Sequence, residues 1–429
     1  MGLFSKDKKP VTKRLDESVV PAEIQELERA MASKVAGQDR AIKQFVRVHE
    51  TFMAGLAPAD RPLSVMLFVG PTGSGKTHVV ETFAELMDVT LIKIDCAEFQ
   101  ASHEISKLLG SPPGYVGGEI PPKITKESIE AKWSNSKGPK YSVILFDEIE
   151  KGHNALHQIL LGIMDRGTIT TGKNVTIDLK QCIIVMTSNL GSGEVKKLLR
   201  TNGGYGFIKN AEVGKPGGES SIDQEIYTAS KEAVTKFFTP EFFNRVDKMI
   251  VFRSLTDEML RRILDIELVR VQDRVLKSGK FVSVEASNRG KDFLIEKGTS
   301  KEFGARELRR TIERYLISKL TRAFTTKQAE DGDMLIADKE PNDSGLTLDI
   351  AKDAMVIPSK EEPENKTTDI VHQPRRVYID PENRYASTPY RGVNNSDYCG
   401  RCGYRWYTAH KCFDLVQRED LDLYKKPRR

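Results

Sequence analysis

The chain has 429 residues, of which 39% are hydrophobic and 30% are charged, and its formal net charge is +5. This length allows two or three globular domains, and the near balance of 66 basic and 61 acidic residues gives no reason to expect a nucleic-acid partner from charge alone. No apolar run approaches the roughly 18 residues of a membrane span, and the polar start MGLFSKDKKP does not resemble a signal peptide. Five cysteines are few for this length, which favours a reducing, cytoplasmic location.

Hydrophobic patterning divides the chain into segments. Residues 1–20 are charged and irregular, and predict a flexible arm. Residues 21–253 alternate helical patterns with short apolar runs, which are typical of strands buried on both faces of a parallel sheet. The five predicted strands are 64–70, 90–96, 142–148, 182–188 and 248–252. The sequence therefore predicts an α/β domain in which helices flank a parallel sheet.

The remainder of the chain has a different character. Residues 254–356 predict a small, mostly helical domain whose first helix is capped by Thr256 and ends near Gly279. The polar, proline-bearing stretch 357–395 predicts a linker. Residues 396–429 form a short module rich in aromatic residues and cysteine, with a basic tail.

The first strand leads into a phosphate-binding motif, GPTGSGKT. Its strand–loop–helix context is the one that a P-loop requires, because backbone N–H groups and the helix N-terminus surround the phosphates. Lys76 is expected to reach the β- and γ-phosphates of ATP, and the Thr77 hydroxyl to bind Mg²⁺. The predicted nucleotide-binding residues are Gly70, Pro71, Thr72, Gly73, Ser74, Gly75, Lys76 and Thr77.

The third predicted strand ends in a pair of acidic residues, Asp147 and Glu148. Ligands bind at the carboxyl ends of the strands in open parallel sheets. Asp147 is therefore expected to bind Mg²⁺ together with Thr77, and Glu148 to position and activate the attacking water. A solvated strand end is the alternative interpretation, which the upstream P-loop disfavours.

Several motifs in order resemble the AAA+ ATPases of the Clp unfoldase family, and above all the second ATPase module of its two-module members. The resemblance extends over about residues 21–356. It rests on VAGQDRAI (35–42), the P-loop, GSPPGYVG (110–117), SVILFDEIEK (142–151), IVMTSNLG (184–191), FTPEFFNRVDKMIVF (238–252) and EFGARELRR (302–310).

The resemblance implies further roles at the nucleotide site. Val35 and Ala36 would flank the adenine, and Asn189 would be the sensor 1 residue that orients the water. Arg245 would be an arginine finger that reaches the neighbouring subunit, which implies a homohexameric ring. Arg306 would be the sensor 2 residue. The alternatives are an ordinary strand-end asparagine, a structural salt bridge at Arg245 and a surface charge at Arg306.

The GYVG stretch would line the axial channel of such a ring. By the family resemblance, its residues Gly114, Tyr115, Val116 and Gly117 would grip an unfolded or tagged protein substrate. An aromatic side chain offers a large contact to any extended chain, and the glycines on either side let it move. A tight turn with the tyrosine folded onto the surface is the alternative.

A glycine-rich insertion carries a candidate docking motif for a ClpP-like peptidase. Tyr205, Gly206 and Phe207 are similar to the apolar–Gly–Phe tripeptide of family members that dock on that peptidase, although the first residue is aromatic instead of aliphatic. A plain flexible loop explains the same residues equally well. No protease constellation is apparent in the chain itself.

The C-terminal module contains a candidate zinc site. Its four possible ligands are Cys399, Cys402, His410 and Cys412. Structural Zn²⁺ prefers four such N and S ligands, although the spacing before His410 is short. Nothing in the Clp resemblance accounts for this module.

These observations predict an ATP-dependent protein unfoldase or chaperone that uses ATP and Mg²⁺. The alternative is an AAA+ motor that remodels nucleic acid or nucleoprotein, which the C-terminal module keeps open. A nucleotide-gated scaffold with slow turnover is disfavoured, because the predicted residues for hydrolysis are all present.

Overall fold

The structure is a computed structural model. It describes residues 14, 16, 19–111, 122–134, 138–195, 221–253, 255–299, 305–340, 345–352 and 354, without the side chains of 221 and 222. For 385–388 and 412–415 it describes the main chain. Within these ranges, no helix combines the length and apolar character that crossing a membrane requires.

The centre of the first domain is a five-stranded parallel sheet. The strands are ordered β2-β3-β6-β1-β7, so that β1 lies between β6 and β7. Their bounds are β1 Ser64–Val69, β2 Thr90–Asp95, β3 Ser142–Asp147, β6 Cys182–Ser188 and β7 Lys248–Val251. All five strands predicted from the sequence are confirmed, and so is the parallel α/β fold.

Successive side chains of β1 pack on opposite faces of the sheet. Val65 and Leu67 join one hydrophobic core, and Met66 and Phe68 join the other. All of them are fully buried. A strand reads as a continuous apolar run when both faces are covered by helices. The helices of this domain are α1 Ala22–Lys34, α2 Asp39–Met53, α3 Lys76–Leu86, α4 Ser106–Leu109, α5 Lys126–Ile129, α6 Asn154–Arg166, α7 Ser221–Phe237 and α8 Pro240–Asn244.

The second domain, hereafter the lid, begins with the predicted long helix. Thr256 caps it by accepting a hydrogen bond from the N–H of Met259 at 3.3 Å. Leu264 and Leu268 face a separate hydrophobic core. The lid helices are α9 Asp257–Lys277, α10 Asn288–Gly298, α11 Ala305–Thr311, a π-helical stretch at Ile312–Ile317 and α12 Ser318–Thr325.

The lid also contains a three-stranded sheet that the sequence patterns did not indicate. Its strands β8 Ser283–Ala286, β9 Met334–Asp338 and β10 Thr347–Ala351 are ordered β10-β9-β8. Each is only four or five residues long. Short strands carry too few alternating positions to be told from loops.

Two further pairs of antiparallel strands lie within the described residues. The first pairs β4 Thr168–Thr170 with β5 Thr176–Asp178. The second pairs β11 Tyr385–Thr388 with β12 Cys412–Leu415. The strand β11 lies inside the stretch 357–395 that the sequence suggests as a linker.

Candidate functional site: a phosphate-binding cleft

The loop after β1 surrounds the ammonium group of Lys76. This side chain donates hydrogen bonds to the carbonyls of Gly70 at 2.8 Å and Pro71 at 3.0 Å, and to Asn189 Oδ1 at 2.9 Å. Burial lowers the pKa of Lys76 to about 8, although nearby carboxylates, first that of Glu150, raise it. A buried cation at the start of a helix provides positive charge where a phosphate would bind.

Gly70 has a geometry that only glycine tolerates well. Its φ is +155°, and a Cβ atom there would lie 2.7 Å from the carbonyl oxygen of Phe252. That oxygen belongs to the main chain of the segment after β7 and cannot move cheaply. Glycine at this position therefore lets the phosphate loop pass close to the main chain of Phe252.

Thr77 and Asp147 form an oxygen-rich corner at the carboxyl end of β3. The Thr77 hydroxyl donates to Asp147 Oδ2 at 3.2 Å and approaches Oδ1 at 3.3 Å. The hydroxyl of Thr187, on the neighbouring strand β6, donates to the same carboxylate. A hydroxyl and a carboxylate are hard oxygen donors that suit Mg²⁺, so the residues fit that ion.

Glu148 follows Asp147 in an unusual main-chain conformation. Its φ is 55° and its ψ is 52°, in the left-handed region that residues other than glycine seldom adopt. Its N–H donates to Thr187 Oγ1 at 3.0 Å, which supports this conformation. Its side chain receives a weak hydrogen bond from Asn189 Nδ2 at 3.4 Å and an ion pair from Lys151 at 2.5 Å. The carboxylate is therefore held beside the P-loop.

The lid closes the other side of the cleft. The N–H of Ala305 donates to the carbonyl of Gly73 at 3.3 Å, which joins the start of α11 to the phosphate loop. Gln38, from the first domain, donates to the carbonyl of Ser74 in the phosphate loop at 3.0 Å. The cavity in this cleft has a volume of about 330 Å³. This lies within the range of about 300–1,000 Å³ that small-molecule sites occupy.

Most of the residues that the sequence assigns to a nucleotide line this cavity; Gly70 and Pro71 do not line it but contact Lys76 through their carbonyls. Its lining includes the following predicted residues: Val35, Ala36, Thr72, Gly73, Ser74, Gly75, Lys76, Thr77, Asp147, Glu148, Asn189 and Arg306. Apolar side chains of the lid, Ile263 and Ile266, also line it. The cavity thus has a polar end at the strand termini and an apolar wall formed by these two residues of the lid.

Comparisons with known proteins agree with this architecture. A family described as "AAA domain (Cdc48 subfamily)" matches residues 61–249. A second family, "C-terminal, D2-small domain, of ClpB protein", matches residues 255–337. Residues 61–337 belong to the ClpB, ClpA and Hsp104 family of AAA+ ATPases.

Individual relatives show how far the similarity to the ClpB, ClpA and Hsp104 family extends. The chain is 34% identical over 315 residues to chaperone protein ClpB 1 of Thermosynechococcus vestitus, covering 73% of this chain and 33% of that protein. It is also 34% identical over 315 residues to the chloroplastic "ATP-dependent Clp protease ATP-binding subunit ClpA homolog" of Brassica napus, covering 73% and 34%. An Hsp104–ADP complex from S. cerevisiae aligns with a TM-score of 0.61 and 30% identity, covering 76% of this chain and 52% of that chain.

The similarity covers only part of each relative. The chain spans about a third of the length of these curated relatives and about half of the Hsp104 chain. The match to a domain family named for the ClpB D2 module agrees with the sequence-based resemblance to a second ATPase module.

Arg245, the candidate arginine finger, lies away from its own cleft. It follows α8, and it forms ion pairs with Asp165 at 3.4 Å and Glu241 at 3.3 Å. It is not among the described residues that line the cavity. Arg306, in contrast, is an exposed residue at the start of α11 whose charge is close enough to lower the pKa of Lys76.

Several predicted residues lie outside the described ranges. They are the channel-loop residues Gly114, Tyr115, Val116 and Gly117, the docking candidates Tyr205, Gly206 and Phe207, and the zinc candidates Cys399, Cys402 and His410. For Cys412, the fourth zinc candidate, the main chain alone is described, at the start of β12. Within the described part, no cluster of three or more His, Cys, Asp or Glu residues could hold a metal ion.

The structure adds two site residues that sequence reasoning missed. Thr187 joins Asp147 to the main chain of Glu148, and Glu150 accepts a hydrogen bond from the N–H of Asn189. Both residues belong to motifs that carry the family resemblance. Their contacts join strands whose residues are about 40 positions apart in the chain, so no local pattern reveals them.

Proposed function

We propose that this chain is an ATP-hydrolysing motor that unfolds or remodels other proteins. The observation that carries the proposal is the meeting of Lys76, the Thr77–Asp147 pair and Glu148 at one end of the sheet. The family assignment supports it, since the named relatives are chaperones and an ATP-binding protease subunit.

Each part of the cleft has a distinct task in phosphoryl transfer. Lys76 would balance the charge of the β- and γ-phosphates. Thr77 and Asp147 would hold Mg²⁺, which supplies positive charge that neutralises the phosphates when it is bound. The apolar wall of Ile263 and Ile266 would cover the base. The contact of Ala305 with the P-loop would transmit the state of the site to the lid.

Glu148 is the proposed general base. Its Oε2 is paired with Lys151, whereas its Oε1 faces the amide of Asn189, so Oε1 is the atom that would accept the proton of the attacking water. The amide of Asn189 also contacts Lys76. Asn189 would therefore orient the water with respect to the γ-phosphate. General-base catalysis of this kind contributes roughly 10²–10⁴-fold in rate.

The assembly that we propose is a closed homohexamer in which Arg245 acts on the neighbouring subunit. Its position away from its own cleft supports action in trans. A guanidinium supplied in this way stabilises charge on the transferring phosphoryl group and is worth roughly 10³–10⁵ in rate. Head-to-tail contacts that close on themselves produce such a ring.

Tyr115 is the proposed contact to the polypeptide. Its segment leaves the described structure at Ser111 and returns at Pro122, at the end of the short helix α4 and ahead of α5. Folded domains are stable by only about 5–15 kcal/mol, so repeated pulling driven by ATP hydrolysis can unfold them.

The test is ATP-dependent loss of fluorescence from a stable fluorescent protein with an unstructured tail. We expect the wild type to unfold it, Glu148→Gln to bind ATP without hydrolysing it, and Tyr115→Ala to hydrolyse ATP without unfolding the substrate. Tyr115→Phe is the matched control, because it keeps the aromatic ring and should retain unfolding. ATP hydrolysis by the wild type without unfolding would argue against a protein substrate, and ATP-dependent movement of nucleic acid would support the other class of motor.

A peptidase partner is a further proposal for the segment containing Tyr205, Gly206 and Phe207. The name of the Brassica napus relative, an ATP-binding subunit of a Clp protease, supports it. Pull-down of a ClpP-like peptidase by the wild type, and its loss in Phe207→Ala with unfolding retained, is the expected result. Equal capture by both proteins would remove this segment from the interface.

Zinc binding by the C-terminal module is also a proposal. It is supported by the ligand types of Cys399, Cys402, His410 and Cys412. Metal analysis of the purified protein is expected to give one zinc per chain, and none after replacement of Cys399 and Cys402 by serine. A zinc content that both proteins share would contradict this assignment.

A further inference from the structure

The main chain of Asn189 is hydrogen-bonded to the carboxylate of Glu150, which belongs neither to the P-loop nor to the acidic pair Asp147 and Glu148. Asn189 is the first residue after β6, and its N–H donates to Glu150 Oε1 at 3.0 Å. Glu150 belongs to the short turn Ile149–Lys151, just beyond the end of β3. The contact therefore joins the ends of two neighbouring strands through residues 39 positions apart.

The sheet itself supplies no acceptor for this N–H. The pairing of β3 with β6 ends at Phe146 and Met186, and the chain leaves the sheet at Glu148 in the left-handed conformation. On the other side, the carbonyl of Ser188 accepts from Gly70 and ends the ladder with β1. Glu150 continues the hydrogen bonding where the main chain of β3 no longer can.

The side chain of Asn189 depends on where its main chain is held. Its Oδ1 accepts from Lys76 at 2.9 Å and from Thr72 at 3.3 Å, and its Nδ2 donates to Glu148 at 3.4 Å. One amide thus contacts the phosphate loop and the proposed base together. A small displacement of its Cα atom would break these contacts, because the side chain of asparagine is short.

We propose that Glu150 is a positioning residue for ATP hydrolysis, which holds the main chain of Asn189 so that its amide faces both Lys76 and Glu148. The inference rests on the proposed ATPase function and deepens it. Glu150 would act through Asn189 and would not touch the nucleotide.

Stability is a poor explanation for a glutamate at this position. Its second oxygen, Oε2, is buried and has no hydrogen-bond partner among the described residues. A buried carboxylate oxygen without a partner costs free energy. The negative charge of Glu150 also acts on Lys76, where it is the first of the carboxylates that raise the pKa. Glu150 is thus close enough to Lys76 for its charge to act on that side chain.

The experiment compares Glu150→Met with Glu150→Gln. Methionine has a similar length and no oxygen acceptor, whereas glutamine keeps an oxygen that can accept the N–H of Asn189. We expect E150M to lower kcat roughly 10–100-fold with little change in KM for ATP, since small misplacements of this kind carry such a cost. We expect kcat of E150Q to remain within about threefold of the wild-type value, because the glutamine oxygen still accepts the hydrogen bond from the N–H of Asn189.

A double-mutant cycle separates positioning from a merely structural role. In an Asn189→Ala background, E150M should lower kcat by less than about twofold further, because the two residues act as one unit. Hydrogen exchange at the Asn189 amide gives a second reading: slow in the wild type and in E150Q, and faster in E150M. If E150M does not fold, Glu150→Asp, whose shorter side chain cannot span the same distance, takes its place.

The outcomes are distinct. An unchanged kcat in folded E150M, equal losses in E150M and E150Q, or additive losses with N189A would each overturn the positioning role. A wild-type protein that binds but never hydrolyses ATP would instead refute the proposed function, and this appears in the wild type before any variant is compared.

Discussion

The hydroxyl of Thr187 makes two hydrogen bonds within the site, and its removal tests what they contribute to stability and to ATP hydrolysis. It accepts from the N–H of Glu148 at 3.0 Å and donates to the carboxylate of Asp147. Thr187 is fully buried. Thr187→Val keeps the shape of the side chain and removes both bonds. Thr187→Ser keeps the hydroxyl and removes one methyl group, so it is the matched control.

The expected free-energy changes follow from these contacts. Loss of the neutral bond costs about 1 kcal/mol and loss of the bond to the carboxylate about 2 kcal/mol. The extra methyl of valine returns about 0.8 kcal/mol through burial. The net loss of stability in T187V is therefore about 2 kcal/mol, against about 1 kcal/mol for the methyl deleted in T187S.

Activity should separate the two variants further than stability does. In T187V the N–H of Glu148 loses its partner, so the left-handed conformation that directs its carboxylate is no longer supported. We expect kcat for ATP to fall roughly 10–100-fold in T187V and to stay within about threefold of wild type in T187S. The measurements are urea unfolding followed by circular dichroism and steady-state ATP hydrolysis. Equal kcat values in the two variants, or a T187V protein more stable than T187S, would refute the reasoning.

Three other predictions concern different parts of the molecule. Gly70→Ala should abolish ATP binding, because its Cβ would meet the carbonyl of Phe252 at 2.7 Å, and titration with a fluorescent ATP analogue measures this. Burial lowers the pKa of His49 below its ordinary 6.5, so the unfolded chain binds a proton more readily than the folded protein does. The stability of the wild type should therefore fall as the pH drops below about 6.5. The melting temperature of His49→Gln should fall less than that of the wild type over the same pH range. Mixing Arg245→Ala with Glu148→Gln subunits should restore part of the ATPase activity that each lacks alone, because wild-type groups from the two chains then meet at shared interfaces.

Each of these has its own control. Gly193→Ala, where a Cβ meets nothing within 4 Å, should leave ATP binding intact, and a G70A protein that still binds ATP would show that the loop can shift. A melting temperature with the same pH dependence in wild type and H49Q would show that His49 is not the group that titrates. Mixed rings with no recovered activity would place Arg245 in its own subunit's site or outside catalysis.

The sequence by itself determined the strands of the large sheet and the polar residues that follow them. The reason is physical: a strand buried on both faces is a continuous apolar run, and the P-loop needs glycines followed by Lys76 and Thr77 at adjacent positions. The capping of the first lid helix by Thr256 was likewise readable, because a helix N-terminus is a local feature.

The tertiary structure alone decided how these pieces meet. The contacts of Thr187 with Glu148 and of Glu150 with Asn189 depend on the parallel register of β3 against β6, and nothing within either strand encodes it. The small sheet of the lid was not predicted from the sequence for a related reason. Its strands are short, and they are stabilised by pairing between segments that are distant in the chain. Motif residues such as Lys76 and Thr77 can be recognised from the sequence. Residues that position another residue, such as Thr187 and Glu150, can be recognised only from the structure, because their contacts cross from one strand to the next.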